Sequence, residues 1–218
     1  MSIEPQEDHQ LIHLSENFQI AYQAVDYLRY ERLKKKIESS VFSLSDYFYS
    51  MSNRNRQIEW LSIRSLLLDM GVKSDIFYDT HGKPHLYEGA KHLSISHSKK
   101  SIAVSLHQEQ EHGIDLQYIT PKIINIKNKF LTQDELSMLN DENDPITLTV
   151  LWSMKEALFK SYGKKDIFLK EHIRLSELGM AKDQYVALGK IRGIEREIKY
   201  PMRARMLEDY ILAYTLIP

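Results

Sequence analysis

An α+β fold in two halves, each a helix set on a small antiparallel sheet, is predicted by three observations. Apolar residues recur at helical spacing through most of 18–70, the pattern changes to strand-like alternation from Ile76, and the same helix-then-strands succession returns after Pro145. With 218 residues, 43% of them hydrophobic, the chain can bury one sizeable core or two small ones.

The elements follow in order. Helical periodicity runs through AYQAVDYLRYERLKKKI (21–37) and RQIEWLSIRSLLLDMG (56–71), where Gly71 suits a C-cap, with a Ser/Asn-rich loop between them. In IFYDTHGKPHLYEG the Gly82-Lys83-Pro84 turn separates short strand candidates, and KHLSISHS and SIAVSLH pair naturally as the next two strands. The polar stretch HQEQEHG (107–113) interrupts the pattern and places the division between halves at 1–108 and 109–218. The second half opens on GIDLQYI, crosses a Pro121-led basic segment to LTQDELSMLN, and reaches PITLTVLWSMKEALFKSYG, bounded by Pro145 and Gly163 as a helix should be. DIFLK, YVALGKIRGIEREIKY and DYILAYTLI supply further strand candidates, with turns at Gly189 and Gly193.

Composition narrows the function by exclusion. A formal net charge of −1 gives no whole-chain attraction to nucleic acid or a membrane surface, so any recruitment of a charged partner must act through a local patch. The absence of cysteine removes disulfides, thiolate nucleophiles and cysteine zinc sites together. Neither the acidic start MSIEPQEDHQ nor any later run offers the ~20 apolar residues of a membrane span. A cytoplasmic location is the expectation.

Three islands carry potential chemistry: GKP (82–84) with SISHS (94–98), GIDLQ (113–117) and WSMKEALFK (152–160). Singly they are bland, since GKP is a common turn and Asp115 could be a turn or cap group. In the helix, Leu148, Leu151, Met154 and Leu158 form a core stripe, while Trp152, Lys155, Glu156 and Lys160 mark an adjoining face. Glu156 and Lys160 could be an exposed pair worth ~0.3–0.5 kcal/mol. If the helix instead packs on the GIDLQ strand, Asp115 and Glu156 converge on an oxygen-rich site suited to Mg²⁺ and a phosphate. Lys155 and Lys160 could then offset charge on a diphosphate. The histidine spacings 92/97 and 107/112 form no helical ligand pair, and His81 and His85 flank a turn, so no histidine metal cluster is expected. His97 beside Ser96, with Lys83 and Arg56, could hold a further nucleotide phosphate.

Taken in order, GKP, SISHS, GIDLQ and WSMKEALFK resemble the motifs of the Sfp-type 4′-phosphopantetheinyl transferase superfamily, whose pattern is GKP, a strand ending Ser-His-Ser, G-[IV]-D-x-E and W-[ST]-x-K-E-[AS]-x-x-K. EWLSIRSLL looks like the helix that precedes GKP, and the resemblance spans about residues 54–163. It implies a monomer of two similar halves related by a pseudo-twofold, with coenzyme A between them. The activity implied is of the holo-[acyl-carrier-protein] synthase type, moving 4′-phosphopantetheine onto a serine of an apo acyl or peptidyl carrier protein of fatty-acid or secondary-metabolite synthesis. Asp115 and Glu156 match the Mg²⁺ ligands, Glu156 also matches the residue that activates the serine, and Lys160 matches the lysine on the diphosphate. Ser96 and His97 match contacts to the 3′-phosphate, Lys83 and Pro84 the adenine-side turn, Arg56 a coenzyme A phosphate contact, and Lys155 phosphate-side support. One position departs: Gln117 stands where the family's third acid is usual, leaving a neutral oxygen as the third metal ligand. The basic segment PKIINIKNKF (121–130) is a candidate landing strip for an acidic carrier protein, or simply a solvated face. Two rival functions share these features: a non-catalytic binder of coenzyme A or carrier protein, and a metal-dependent phosphohydrolase.

Overall fold

The computed structural model describes residues 9–89, 91–192 and 199–216; the acidic start and the expected Gly193 turn lie outside them, wholly or in large part. The first half is built from β1 (His9–Ser15), β2 (Phe18–Ala24), α1 (Tyr30–Glu38), α2 (Asp46–Ser50), α3 (Arg54–Asp69), β3 (Ile76–Tyr78), β4 (Pro84–Leu86), β5 (His92–Ser98) and β6 (Ser101–His107). The second contains β7 (Ile114–Tyr118), α4 (Lys127–Phe130), α5 (Gln133–Ser137), α6 (Pro145–Tyr162), α7 (Leu169–His172), β8 (Ile173–Ala181), β9 (Gln184–Ile191), β10 (Lys199–Leu207) and β11 (Tyr210–Thr215). Two antiparallel sheets result, ordered β1-β2-β6-β5 and β7-β11-β10-β9-β8, while β3 and β4 form a separate hairpin. The mixed α+β class is as the sequence predicts. Among the described residues no helix is long and apolar enough to cross a membrane.

Three boundaries differ from expectation. Phe18–Ala24 is a strand rather than the start of a helix, because Phe18, Ile20 and Ala21 are buried while β2 is paired on both edges. The segment 166–170 is not a strand, and Leu169–His172 closes a short helix before β8. β8 itself, IRLSELGMA, alternates too weakly to be seen from sequence and is held in place by pairing with β9.

One long helix anchors each half. On α3, Ile58, Leu61, Leu66 and Leu67 are buried in a core completed by Ile102, Val104 and Leu106 of β6. On α6 the stripe Leu148, Leu151, Met154 and Leu158 is fully buried against the larger sheet. Asp144 caps this helix through the amides of Ile146 and Thr147, Pro145 fits its first turn, and Gly163 ends it in the left-handed region at φ 77°.

The two sheets meet edge to edge through side chains. Ser94, Ser96 and Ser98 of β5 accept hydrogen bonds from the backbone amides of Ile114, Leu116 and Tyr118 of β7 at 3.1, 2.9 and 3.0 Å. Every second residue of SISHS is thus a hydroxyl facing every second amide of the neighbouring edge, satisfying backbone groups that burial would otherwise leave unpaired. Phe18, Ile20, Ile114, Leu116, Leu212 and Tyr214 fill the space behind the seam.

Beside it His112 is fully buried, 2.6 Å from the Ser105 hydroxyl and edge-on to Phe18. Burial pushes this imidazole from its ordinary 6.5 down to about 3, so it is neutral in the fold. Because the unfolded chain takes up the proton first, stability should fall as pH drops below about 6.5, by about 1.4 kcal/mol per unit from this group. Urea unfolding at pH 7 and pH 5 should show a steeper loss for the wild type than for His112→Asn; equal losses would contradict the assignment.

Candidate active site at the seam

Asp115 projects from β7 toward α6, and Gly113 sets how close the two elements come. A Cβ at Gly113 would lie 1.9 Å from the Ala157 carbonyl oxygen and 2.6 Å from the Ser161 nitrogen, so any side chain there must push the strand off the helix. Gly113→Ala should therefore destabilise the protein by roughly 1–3 kcal/mol or more and shift Asp115 relative to Glu156. A melting curve and activity matching the wild type would refute this.

At 5% exposure, Asp115 is nearly enclosed. Its Oδ1 accepts hydrogen bonds from Ser96 Oγ at 2.9 Å and Lys160 Nζ at 2.8 Å. Its Oδ2 is buried with no hydrogen-bond partner. Glu156, one helical turn before Lys160, is pushed up to about 7, first by burial, then by the charge of Asp115, with Lys160 opposing. The structure thus brings Asp115, Glu156 and Lys160 together, as expected if α6 packs on β7. Two carboxylates, one with a free buried oxygen, are hard donors that suit a divalent cation such as Mg²⁺. Among the described residues no three His, Asp or Glu side chains come together for a metal. Gln117, half-buried, lies on the same face of β7 as Asp115 and could add only a neutral oxygen or orient a water.

The other expected residues divide. Lys83 reaches across from the β3–β4 hairpin to the C-terminal end of α6, donating to the Ser161 carbonyl at 3.3 Å and pairing with Glu111, which His92 also approaches at 3.0 Å. Asp79 holds the hairpin turn: its carboxylate accepts from the amides of Lys83 and His81 and lies 3.1 Å from His85 Nε2, and these bonds pull its pKa down to about 2. Lys83 and Pro84 line a cleft of about 210 Å³ with His81, Gly82, Leu93, Phe159, Lys160 and residues 163–165.

Two assignments change. Ser96, expected to contact a phosphate, is 4% exposed, and its hydroxyl is committed to Asp115 and the Leu116 amide; it orients Asp115 instead. Lys155, expected to support phosphate, is fully buried, with its ammonium 2.7–3.1 Å from the Phe130, Leu169 and Ile173 carbonyls and 2.8 Å from Glu135. It stands four residues after Leu151 and three before Leu158, on the core stripe, and that spacing was the available sequence signal. His97 is exposed on the strand face opposite Ser96, and Arg56 is exposed in the first turn of α3; neither lines the cleft. Glu111, Lys164 and Lys165, which do meet at the site or its cleft, belong to no motif noted in the sequence.

No curated protein matches the chain. Residues 111–214 match the family model of the 4′-phosphopantetheinyl transferase superfamily, a segment that contains Asp115, Glu156 and Lys160. Over that segment, a little under half of its length, the chain is similar to the 4′-phosphopantetheinyl transferase superfamily, in the stretch that carries the two carboxylates and the lysine of the seam.

Proposed function

We propose that the protein transfers 4′-phosphopantetheine from coenzyme A to a serine of an apo acyl or peptidyl carrier protein and releases 3′,5′-ADP. The observation that carries this reading is the convergence of Asp115, Glu156 and Lys160 within the segment that matches the superfamily. Glu156, on α6 beside Asp115, is placed to take the serine proton, directly or through a water, as the Oγ–phosphorus bond forms at the β-phosphate. The bond from that phosphorus to the bridging oxygen then breaks, and Lys160 offsets the charge left on 3′,5′-ADP. Asp115 and Glu156, with Gln117 beside them, would hold Mg²⁺, which supplies charge neutralisation of the diphosphate when bound.

The halves divided at 108 and 109 would then share the work, the first contributing the Lys83–Pro84 turn and the second the carboxylates, in a monomer. Within 121–130, Ile123 and Phe130 are buried and Lys127 is tied to Glu142, while Lys122 and Lys129 are exposed. Those two lysines are the part of the segment free to meet an acidic carrier protein.

Incubation with coenzyme A, Mg²⁺ and a panel of apo carrier proteins should add one phosphopantetheine mass to at least one of them. If no carrier gains mass while a related transferase modifies the same panel, the reading fails in favour of a non-catalytic binder; phosphate released without a carrier would indicate a hydrolase. Gln117→Glu should lower the Mg²⁺ concentration needed for half-maximal transfer, because it restores a negative charge beside Asp115. An unchanged or higher requirement would show that Gln117 takes no part in holding the ion.

A further inference from the structure

The turn of the β3–β4 hairpin forms one wall of the cleft, yet the hairpin belongs to neither of the two sheets that meet at the seam. Its place against α6 is therefore not set by the seam, and Lys83 is the side chain that crosses. The stem of Lys83 lies over Gly163, where a Cβ would fall 2.7 Å from Lys83 Cδ. Its ammonium donates to the Ser161 carbonyl at 3.3 Å, one of the carbonyls that the last turn of α6 leaves without an intrahelical partner. The partial negative charge at that end of the helix favours a cation, so Lys83 caps α6 from the other half.

With a side chain only 11% exposed, this cation needs a countercharge, and Glu111 supplies it. Glu111 lies in the connection between the halves, two positions before Gly113. Its carboxylate pairs with Lys83 and stands 3.0 Å from His92 Nδ1 at the start of β5. Burial opposes its charge, but Lys83 and then His92 outweigh that and hold the carboxyl below its ordinary 4.5, so Glu111 is ionised at neutral pH. One carboxylate on the connection thus gathers the hairpin turn and the start of β5, and through Lys83 it reaches the end of α6.

We propose that Glu111 is a positioning residue, acting through Lys83 to hold the hairpin turn against the end of α6 and so to fix the width of the cleft. Its effect on a ligand rests on the coenzyme A reading above, whereas its effect on the hairpin does not.

The chain has no cysteine, so Thr80→Cys on the hairpin turn and Asn140→Cys in the second half, both exposed, carry a spin-label pair at those two places alone. In pulsed electron-electron distance measurements on the full chain, Glu111→Ala and Lys83→Met should each broaden the distribution, and the two together should broaden it no further. In calorimetric titration, Glu111→Ala should bind coenzyme A roughly three- to ten-fold more weakly, the worth of a half-exposed charged hydrogen bond. Adding it to Lys83→Met should change the affinity no further. In transfer, Glu111→Ala should raise the KM for coenzyme A by that factor and leave kcat within about two-fold, because its partners are Lys83 and His92 and not the carboxylate centre. Unchanged distances in both single variants, or a loss from Glu111→Ala that is the same with and without Lys83, would overturn the latch. So would a fall in kcat with KM unmoved. If the wild type neither binds coenzyme A nor modifies a carrier, the coenzyme A reading falls and the distances alone decide the latch.

Discussion

Glu156→Gln should reduce phosphopantetheine transfer by about 10²–10⁴-fold, the usual worth of a positioned general base, without weakening the fold. The two halves of this expectation have one cause. Glu156 is held beside Asp115 in a partly buried site, and its pKa of about 7 records that the fold resists its negative charge. In the unfolded chain the same group ionises near its ordinary 4.5, so its contribution to stability is lost as pH rises from there through about 7. In a chelator at pH 8 the amide removes that opposition, and the variant should melt at the same temperature as the wild type or higher. Asp115→Asn should also abolish transfer, but it breaks the ion pair with Lys160 and alters the group that Ser96 orients, so it should melt lower. Transfer assays and thermal melts of the two variants together would reveal opposite stability effects behind similar losses of activity. A Glu156→Gln protein that keeps wild-type transfer rates would remove Glu156 from the mechanism. One that loses both activity and stability would show a structural carboxylate instead.

What the sequence made legible was what depends on local spacing. Trp152, Glu156 and Lys160 follow one another at intervals of four on a helix whose boundaries Pro145 and Gly163 announce, and α6 forms as that pattern predicts. Asp115 beside them could be anticipated only through the assumption that α6 packs on its strand. That contact depends on Gly113, whose lack of a side chain matters only against Ala157 and Ser161, more than forty residues further along the sequence. Ser96 shows a signal present but assigned to the wrong partner. Its position invited a phosphate contact, yet the alternation Ser94, Ser96, Ser98 has the period of a strand edge, and those hydroxyls satisfy the opposing β7 amides. Glu111, Lys164 and Lys165 were invisible for another reason: their relation to Lys83 and Gly82 exists only once the two halves close on each other. Phe18–Ala24 illustrates the same limit at the level of fold, since its apolar spacing tolerates a helix until β1 and β6 claim both its edges.

Lys155→Met should cost about 3–5 kcal/mol, the penalty for leaving one member of a buried ion pair alone. The ammonium is surrounded by the carbonyls of Phe130, Leu169 and Ile173 and by Glu135, so a single charge ties together the end of α4, the starts of α7 and β8 and the body of α5. Glu135 is committed on its own account: its carboxylate accepts from the Thr132 amide and hydroxyl and from the Leu175 amide. Removing Lys155 therefore leaves a buried carboxylate with several donors but no countercharge, a worse state than having neither charge. Adding Glu135→Gln keeps an oxygen for those donors and discards the charge, so the double variant should recover a substantial part of the loss. Denaturant unfolding of the wild type, both single variants and the double variant would yield this coupling directly. Transfer per folded molecule decides between the structural role and a phosphate-side one. If Lys155 only braces the scaffold, the folded fraction of Lys155→Met should turn over substrate at close to the wild-type rate. A variant that folds as stably as the wild type but transfers slowly would place the ammonium at the phosphate and contradict its burial in the core.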